Sequence, residues 1–339
     1  MRVLYVTVAL AAVVAGAAAI RTNVAAAGPT GIDPIAVGSA IPRDILSGSN
    51  RIRVPRLTRA AVGNPFGQSK PRENTIRLAQ TGVPVSTGNP SLAPLKWVGR
   101  IVTPAPTKDQ PNEVSECTAQ FITSKVLLTA GHCLKDLPDN PTGPWFDLTN
   151  QTFTLQYQAG EGSHTFKTVC GATNPLWTFP SNYSSLNKSD QNLAFATAAQ
   201  HDYAMILVDT PSTTGVMPYA LDWKGKVVEA VRVGYAGDIL DDEIVQKALG
   251  IVFFANAVPM YPASISNLVV HWQGVTDFTQ GSSGGAWIAN FNTEEGANNN
   301  ILIAVTSFNN TGFPGAMFAA YLTAAEFNPL LTFVSNGCK

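Results

Sequence analysis

An all-β fold, built as a barrel or a sandwich, is predicted by three features of the sequence. From Leu95 onward, short apolar runs rich in β-branched and aromatic residues are separated by turn residues. The 28 glycines and 23 prolines can supply many tight turns, which suits short strands better than long helices. The 339 residues are 45% hydrophobic and 13% charged, so they can form a sizeable core in one large or two small domains.

The predicted strands are the apolar runs, taken in order along the chain. They cover residues 97–102, 119–122, 126–129, 153–157, 203–208, 227–233, 250–254, 268–272, 285–289 and 301–305. Near the C-terminus, Thr323 and Glu326 form a capping box before an apolar stretch, which predicts a short C-terminal helix. Pro329 would remove one of its hydrogen bonds, so we expect this helix to be short or to start later.

The N-terminus has the pattern of a secretory signal peptide, predicted over residues 1–19. Arg2 precedes the apolar run 3–15, and the small residues 16–19 suit a cleavage site, with a cut near Ala27 as the alternative. The run is shorter than the ~20 apolar residues that span a bilayer, so a membrane anchor is the less favoured interpretation. We therefore expect a secreted, extracellular protein with no stable membrane association.

Residues 20–94 have a loop-like composition, with scattered arginines, no cysteine and no lasting helical or strand period. This stretch is either a propeptide that is removed after secretion or a flexible N-terminal extension that is kept. We favour the propeptide, with the arginines as its cleavage points. The folded domain is then predicted over residues 95–339.

Positive and negative charges are balanced, with 22 Lys+Arg against 23 Asp+Glu, which gives no support to a nucleic-acid-binding protein. Cysteines of an exported protein are disulfide candidates, and here these are Cys117, Cys133, Cys170 and Cys338. The sequence does not choose among their possible pairings, and no C-x2-4-C spacing indicates a zinc site. Possible N-glycosylation triplets begin at Asn150, Asn182, Asn187 and Asn309.

Ser283 is a candidate nucleophile because glycines surround it. The sequence Gly-Ser-Ser-Gly-Gly at residues 281–285 can expose one hydroxyl and direct backbone amides at one point. Taken alone, such a stretch is more often a linker or a tight turn. A hydrolase would also need a base and a carboxylate to activate the serine.

His132 is the best-placed base among the four histidines. It follows a predicted strand in a turn of small residues, whereas His164 lies in a polar loop and His271 within a strand. His201 directly precedes Asp202, which opens a strongly apolar strand. A carboxylate buried there would cost several kcal/mol if unpaired. Its partner would be an arginine, backbone amides or the ring N–H of His132.

Three motifs resemble those of chymotrypsin/trypsin-fold serine proteases, and they occur in that family's order of His, Asp and Ser. They are Thr-Ala-Gly-His-Cys at 129–133, His-Asp-Tyr-Ala-Met at 201–205 and Gly-Ser-Ser-Gly-Gly at 281–285. The resemblance covers about residues 95–334, although 135–200 match nothing in the family. It implies two six-stranded antiparallel β-barrels with the active site between them and a short C-terminal helix.

The resemblance also implies acyl transfer to a serine, with protein or peptide substrates, no cofactor and no metal. Ser283 would attack a peptide carbonyl, and His132, oriented by Asp202, would act as general base and then as general acid. The backbone N–H groups of Gly281 and Ser283 would form the oxyanion hole. We therefore predict a secreted, monomeric serine endopeptidase. The alternative is a catalytically silent homologue that acts as a binding module.

The cysteines fit the same resemblance. Cys117 and Cys133 are 16 residues apart, like the family's disulfide beside the catalytic histidine. Once this pair is assigned, Cys170 and Cys338 remain as the second pair.

An α/β-hydrolase is excluded by the order of the residues. Residues 281–285 also satisfy the G-x-S-x-G pattern of that fold, but it places its histidine after the serine. All four histidines here precede Ser283.

Ser282 departs from the pattern of trypsin-like enzymes, which usually have an aspartate there. That aspartate pairs with the ammonium group released on activation. This partner is missing here. In addition, Ile101 precedes Cys117 by fewer residues than an activation site of trypsin-like enzymes requires. We therefore interpret residues 100–102 as a strand rather than an activation site. The chain looks more like the bacterial glutamyl-endopeptidase branch.

Asp277 lies six residues before Ser283, where trypsin has the aspartate at the base of its specificity pocket. This position suggests cleavage after Arg or Lys. In the glutamyl-endopeptidase branch such an aspartate can instead be structural, but that branch has a histidine on the pocket-wall strand, and residues 306–308 contain none. Ser307 and Asn309 on this strand are further candidates for substrate binding.

Overall fold

The computed structural model describes residues 51–52, 86–104, 114–135, 146–223, 228–236, 245–255, 258–260, 263–265, 268–272, 281–294, 299–309 and 316–339. All of them belong to the unit Gly31–Lys339. The predicted signal peptide lies outside the described residues. None of the helices in the described ranges has the length and apolar character needed to span a membrane.

The first half of the chain forms short strands. They are β1 (Arg51–Ile52), β2 (Ser86–Thr87), β3 (Val98–Pro104), β4 (Val114–Phe121), β5 (Val126–Thr129), β6 (Thr152–Leu155), β7 (His164–Thr173) and β8 (Ala204–Val208). Hydrogen bonds join them in the order β1-β4-β3-β6-β7-β8-β5, and β4 also pairs with β5. The strands β3 to β8 therefore form a closed six-stranded barrel.

The interior of this barrel is filled by aromatic side chains from different strands. Phe121, Phe153 and Phe166 are fully buried, and their ring centroids lie 5.1–5.9 Å apart. Phe153 and Leu155 alternate with more exposed residues along β6, as expected for a strand with one face in the core. Burying a large side chain of this kind is worth about 1.5–3 kcal/mol, so these rings are a main contribution to the stability of the barrel.

The second half of the chain forms a second antiparallel sheet. Its elements are β9 (Val228–Gly234), β10 (Gln246–Ala255), β13 (Leu268–Trp272), β14 (Ala286–Ala289), β15 (Ile301–Val305), β16 (Phe308–Asn309) and β17 (Ala316–Ala320), and β11 (Val258–Met260) pairs separately with β12 (Ala263–Ile265). The order is β15-β14-β9-β10-β13-β17-β16, with β2 paired to β10. The two end strands, β15 and β16, are separated in the chain only by Thr306 and Ser307. The fold is all-β as predicted, and one barrel is closed.

The first residues of the stretch 86–97 are hydrogen-bonded to the second sheet. Strand β2 pairs with Gln246 and Lys247 of β10, and the Gly88 N–H donates to the Val245 carbonyl at 2.8 Å. A 3-10 helix, Leu95–Trp97, follows, and the Trp97 indole N–H donates to the Thr214 carbonyl at 2.9 Å. Residues 86–88, which fall in the predicted N-terminal extension, thus pair with the sheet.

Helix α1 (Lys188–Ala199) was not predicted. Asn187 caps it by accepting from the Asp190 N–H at 3.0 Å. Its buried residues are Phe195 and three alanines, while Leu193 is exposed. A small and mostly alanine buried face gives a weak helical period in the sequence, which explains the omission.

The predicted C-terminal helix is α2 (Ala324–Ser335), and it begins directly after Thr323. The Thr323 hydroxyl accepts from the Glu326 N–H, as expected of a capping box. Pro329 lies inside the helix but does not delay its start. Phe327, Leu330 and Val334 are buried in the core, and this packing compensates for the hydrogen bond that proline removes.

Two disulfides join Cys117 to Cys133 and Cys170 to Cys338. The first connects β4 to the 3-10 helix Gly131–Cys133, which carries His132. The second ties β7 to the chain that follows α2, so it holds the C-terminal helix against the first barrel.

Candidate active site

His132 and Asp202 meet because of the register of two neighbouring strands. Thr129, the last residue of β5, is paired with Ala204, the first residue of the antiparallel strand β8. The turn after β5 and the residues before β8 therefore lie at the same edge of the barrel. There the Asp202 carboxylate accepts from His132 twice: Oδ2 lies 2.8 Å from the ring Nδ1, and Oδ1 accepts the backbone N–H at 2.9 Å.

Asp202 has a further donor in Ser307. The Ser307 hydroxyl donates to Oδ2, so the fully buried carboxylate accepts from a ring nitrogen, a backbone amide and a hydroxyl. Such bonds offset the cost of burying a charge. Ser307 is also a predicted substrate-binding residue, and that role stays a prediction; its hydroxyl is directed at the carboxylate. The sequence carried no signal for this contact, because 105 positions separate the two residues.

Gly131 makes room for this arrangement. A Cβ atom at this position would lie 3.0 Å from Oδ1 of Asp202 and 3.0 Å from Cδ1 of Trp177. The carboxylate of Asp202 and the buried indole of Trp177 thus both border the space next to Gly131. The glycine in the Thr-Ala-Gly-His-Cys motif is explained by this close approach.

The second ring nitrogen of His132 is the one that could accept a proton. Nε2 is buried and has no hydrogen-bond partner among the described residues. The bond from Nδ1 to Asp202 favours the tautomer in which Nε2 is unprotonated, which is the form that a general base requires. Hydrogen bonds between a base and its nucleophile often form only in the complex with substrate.

The loop of Ser283 is shaped by its glycines. Gly281 and Gly284 have φ of +78° and +79°, a region that favours glycine. A Cβ at Gly281 would lie 2.1 Å from the Tyr235 carbonyl oxygen. A Cβ at Gly284 would lie 2.7 Å from the Ala130 backbone nitrogen, so this loop lies directly against the turn that carries the histidine.

Ser282 and Ser283 differ in exposure. Ser282 is completely buried, whereas 7% of the surface of Ser283 is exposed to solvent. The loop is fixed to the second sheet by two backbone bonds, from Gly284 N–H to Thr306 O at 2.7 Å and from Thr306 N–H to Gly285 O at 2.8 Å. Ser283 is therefore the more exposed of the two serines.

The other predicted site residues are placed as follows. Asp277 lies outside the described residues. Asn309 belongs to β16, where its backbone pairs with Met317. Among the possible glycosylation sites, Asn182 and Asn187 are exposed and Asn150 is partly buried. These assignments stay predictions.

Within the described ranges, Cys117, His132 and Cys133 form the one group with donor atoms close enough to suggest a metal. Both sulfur atoms belong to a disulfide, so neither is available as the thiolate that a metal would bind.

A second histidine contact lies beside the site. The His201 Nδ1 is 3.0 Å from Glu326 Oε2, and the Asn174 amide donates to the same oxygen at 2.6 Å. Burial alone would raise the pKa of Glu326, but the hydrogen bond and charge of His201, together with the Asn174 bond, hold that pKa below its ordinary value. Helix α2 is therefore attached by polar bonds to the segment that leads into Asp202.

We expect the protein to lose part of its stability in acid through Glu326. Because the pKa of Glu326 is lowered by folding, the ionised carboxylate stabilises the folded state above the unfolded-state pKa of about 4.3. This contribution is lost as the pH falls through the folded-state pKa. Urea unfolding of the native protein and of Glu326→Gln, measured from pH 7 to pH 3, should show a difference that shrinks only below about pH 4. A difference that stays constant to pH 3 would contradict the expectation, and His201→Gln should weaken the pH dependence.

Neither a family model nor a curated protein matches the sequence. Solved structures do match. A Glu endopeptidase in complex with MPD is 17% identical with a TM-score of 0.52, and the match covers 74% of this chain and 96% of that one. The thermostable serine protease AL20 from an extremophilic microorganism is 19% identical (TM-score 0.49, 70% and 98% covered). Human heparin binding protein is 14% identical (TM-score 0.47, 75% and 96% covered). The closed barrel and the similarity to the Glu endopeptidase show that the chain has the chymotrypsin fold of serine proteases.

Proposed function

We propose that the protein is a serine endopeptidase that hydrolyses peptide bonds through an acyl-enzyme. The observation that carries this proposal is the pairing of His132 with Asp202 through Nδ1, with Nε2 free of protein partners in the described part of the chain. A histidine held in this way is suited to remove a proton from a neighbouring hydroxyl. The glycine-lined loop of Ser283 packs against the same turn.

In the proposed reaction, Ser283 Oγ attacks the peptide carbonyl carbon while His132 Nε2 takes the hydroxyl proton. The carbonyl oxygen becomes an oxyanion, which the N–H groups of Gly281 and Ser283 stabilise. The imidazolium formed on His132 is stabilised by Asp202 and gives its proton to the leaving amine. Water then repeats the sequence on the acyl-enzyme, which releases the acid and restores the serine.

We also infer that the protein is a secreted monomer, made with a signal peptide over residues 1–19 and a propeptide over residues 20–94. The two disulfides support export, because such bonds persist in oxidising compartments. The second sheet would close into a six-stranded barrel if residues 301–309 act as one strand. Support for this comes from the pairing of β16 with β17 and from the bond of Ser307 N–H to Phe318 O at 3.0 Å.

Cleavage after Arg or Lys is proposed from the position of Asp277 alone. We expect Asp277→Ser to lower kcat/KM for peptides with Arg or Lys before the scissile bond by about 100-fold or more, because an oppositely charged partner in the pocket is lost. The variant and the native protein are compared on a set of peptides that differ at this one residue. An unchanged preference for Arg and Lys would refute the assignment, and peptides with uncharged residues serve as the control.

A fluorophosphonate probe tests the proposed function itself. We expect it to label the purified, processed protein at Ser283, located by peptide mass spectrometry, and to abolish hydrolysis of a denatured protein substrate. Absence of labelling would refute the proposal that the protein is a serine endopeptidase and would favour a catalytically silent homologue that acts as a binding module.

A further inference from the structure

We propose that Thr118 is a positioning residue that fixes the backbone of the oxyanion hole; the proposal rests on the proposed hydrolase function. Thr118 follows Cys117 on β4, in the first barrel. Its side chain is completely buried and touches the loop of Ser283, although 163 positions separate Thr118 from Gly281. None of the three sequence motifs includes this residue.

The Thr118 hydroxyl both accepts and donates a hydrogen bond. It accepts the Tyr235 N–H at 3.0 Å and donates to the Gly281 carbonyl at 2.9 Å. A hydroxyl has one proton, and the N–H that it accepts from occupies one of its lone pairs. The proton is therefore directed at Gly281.

The backbone of Thr118 holds the same loop at a second point. The Thr118 N–H donates to the Ser283 carbonyl at 2.8 Å. The carbonyl groups of Gly281 and Ser283 are thus both bound by one residue, and the Ser283 N–H lies between them in the chain. The other proposed donor, the Gly281 N–H, belongs to the residue whose carbonyl the Thr118 hydroxyl binds, and Gly281 has a φ of +78°. The bonds from Thr118 therefore restrain the backbone next to both proposed oxyanion donors.

The residues packed around the hydrogen bond between Thr118 and Gly281 leave it little room to move. A Cβ at Gly234 would lie 3.1 Å from Cα of Ser282 and 3.2 Å from the Thr118 hydroxyl. Thr118 itself is held by the Thr129 hydroxyl, which donates to its carbonyl at 2.8 Å. Preorganised donors are effective because they need no rearrangement as charge develops. Ser282 cannot make the ion pair that an aspartate makes in trypsin-like enzymes, and Thr118 supplies a neutral anchor for the same loop.

Thr118→Val tests the proposal, since it removes the hydroxyl at nearly constant volume. We expect kcat for a peptide substrate to fall roughly 10- to 100-fold with KM changed less than about twofold, because the donors act mainly in the transition state. The affinity for a peptide aldehyde, whose adduct places an oxygen in the oxyanion hole, should fall by a similar factor. The acid limb of the pH profile of kcat/KM should stay in place, since His132 and Asp202 are unaltered. Thr118→Ser should restore kcat to within about threefold.

Thr103→Val is the matched control. Thr103 is also a buried threonine of the first barrel, and its hydroxyl accepts from the Gln151 amide at 2.9 Å. This variant should lose stability and keep kcat. Should Thr118→Val fail to fold, Thr118→Ala makes the same measurement without a branched side chain.

A kcat for Thr118→Val within about twofold of the native value would overturn the proposal, as would equal losses in Thr118→Val and Thr103→Val. If the native protein reacts with the fluorophosphonate and Thr118→Val turns over normally, only the role of Thr118 fails. A native protein that neither reacts nor hydrolyses peptides overturns both proposals.

Discussion

Ser283→Ala is expected to lower kcat for peptide hydrolysis by roughly 10⁶-fold, the size of effect seen when the serine of a working triad is removed. The variant lacks the oxygen that would form the acyl-enzyme. A residual rate above that in water should remain, because the oxyanion donors and the substrate contacts are unaltered. Steady-state kinetics on a chromogenic peptide, with folding checked by circular dichroism, measure the effect.

Ser282→Ala separates the two neighbouring serines. Since Ser282 is completely buried and Ser283 is not, we expect Ser282→Ala to retain fluorophosphonate labelling and Ser283→Ala to lose it. The reverse pattern would assign the nucleophile to Ser282 and contradict the proposed alignment of the loop.

Local motifs carried most of what could be predicted about the site. The turn of His132 and the position of Asp202 before a strand are both encoded by a few consecutive residues. Strand pairing between β5 and β8 then brings them together. The order of the three motifs indicated the fold, and the closed first barrel agrees with it.

Contacts across long sequence separations could not be predicted. Ser307 donates to Asp202, and Thr118 donates to Gly281, only because the two halves of the chain pack together. The residues next to Ser307 and Thr118 in the sequence form no pattern that predicts such a hydrogen-bond partner. Helix α1 was missed for a different reason, because its small and mostly alanine buried face gives only a weak helical period in the sequence.

Asp202→Asn is expected to lower kcat by about 10⁴-fold at neutral pH while the protein stays folded. An asparagine has one carbonyl oxygen and one NH₂ group, whereas the native carboxylate accepts at both oxygens from His132. If the oxygen keeps the backbone N–H of His132, the NH₂ group faces Nδ1 and donates to it. The ring then carries its proton on Nε2 and cannot act as a base.

Asp209 provides a control for this substitution, because it follows strand β8 whereas Asp202 precedes the same strand. Asp209 is exposed and accepts the Lys167 N–H at 3.1 Å, outside the proposed site. Asp209→Asn should therefore leave kcat within about twofold of the native value. If Asp202→Asn retained activity as well, the carboxylate would be structural, because a neutral amide would then serve His132 equally well. A selective loss would instead show that the charge and acceptor geometry of Asp202 are what make His132 a base.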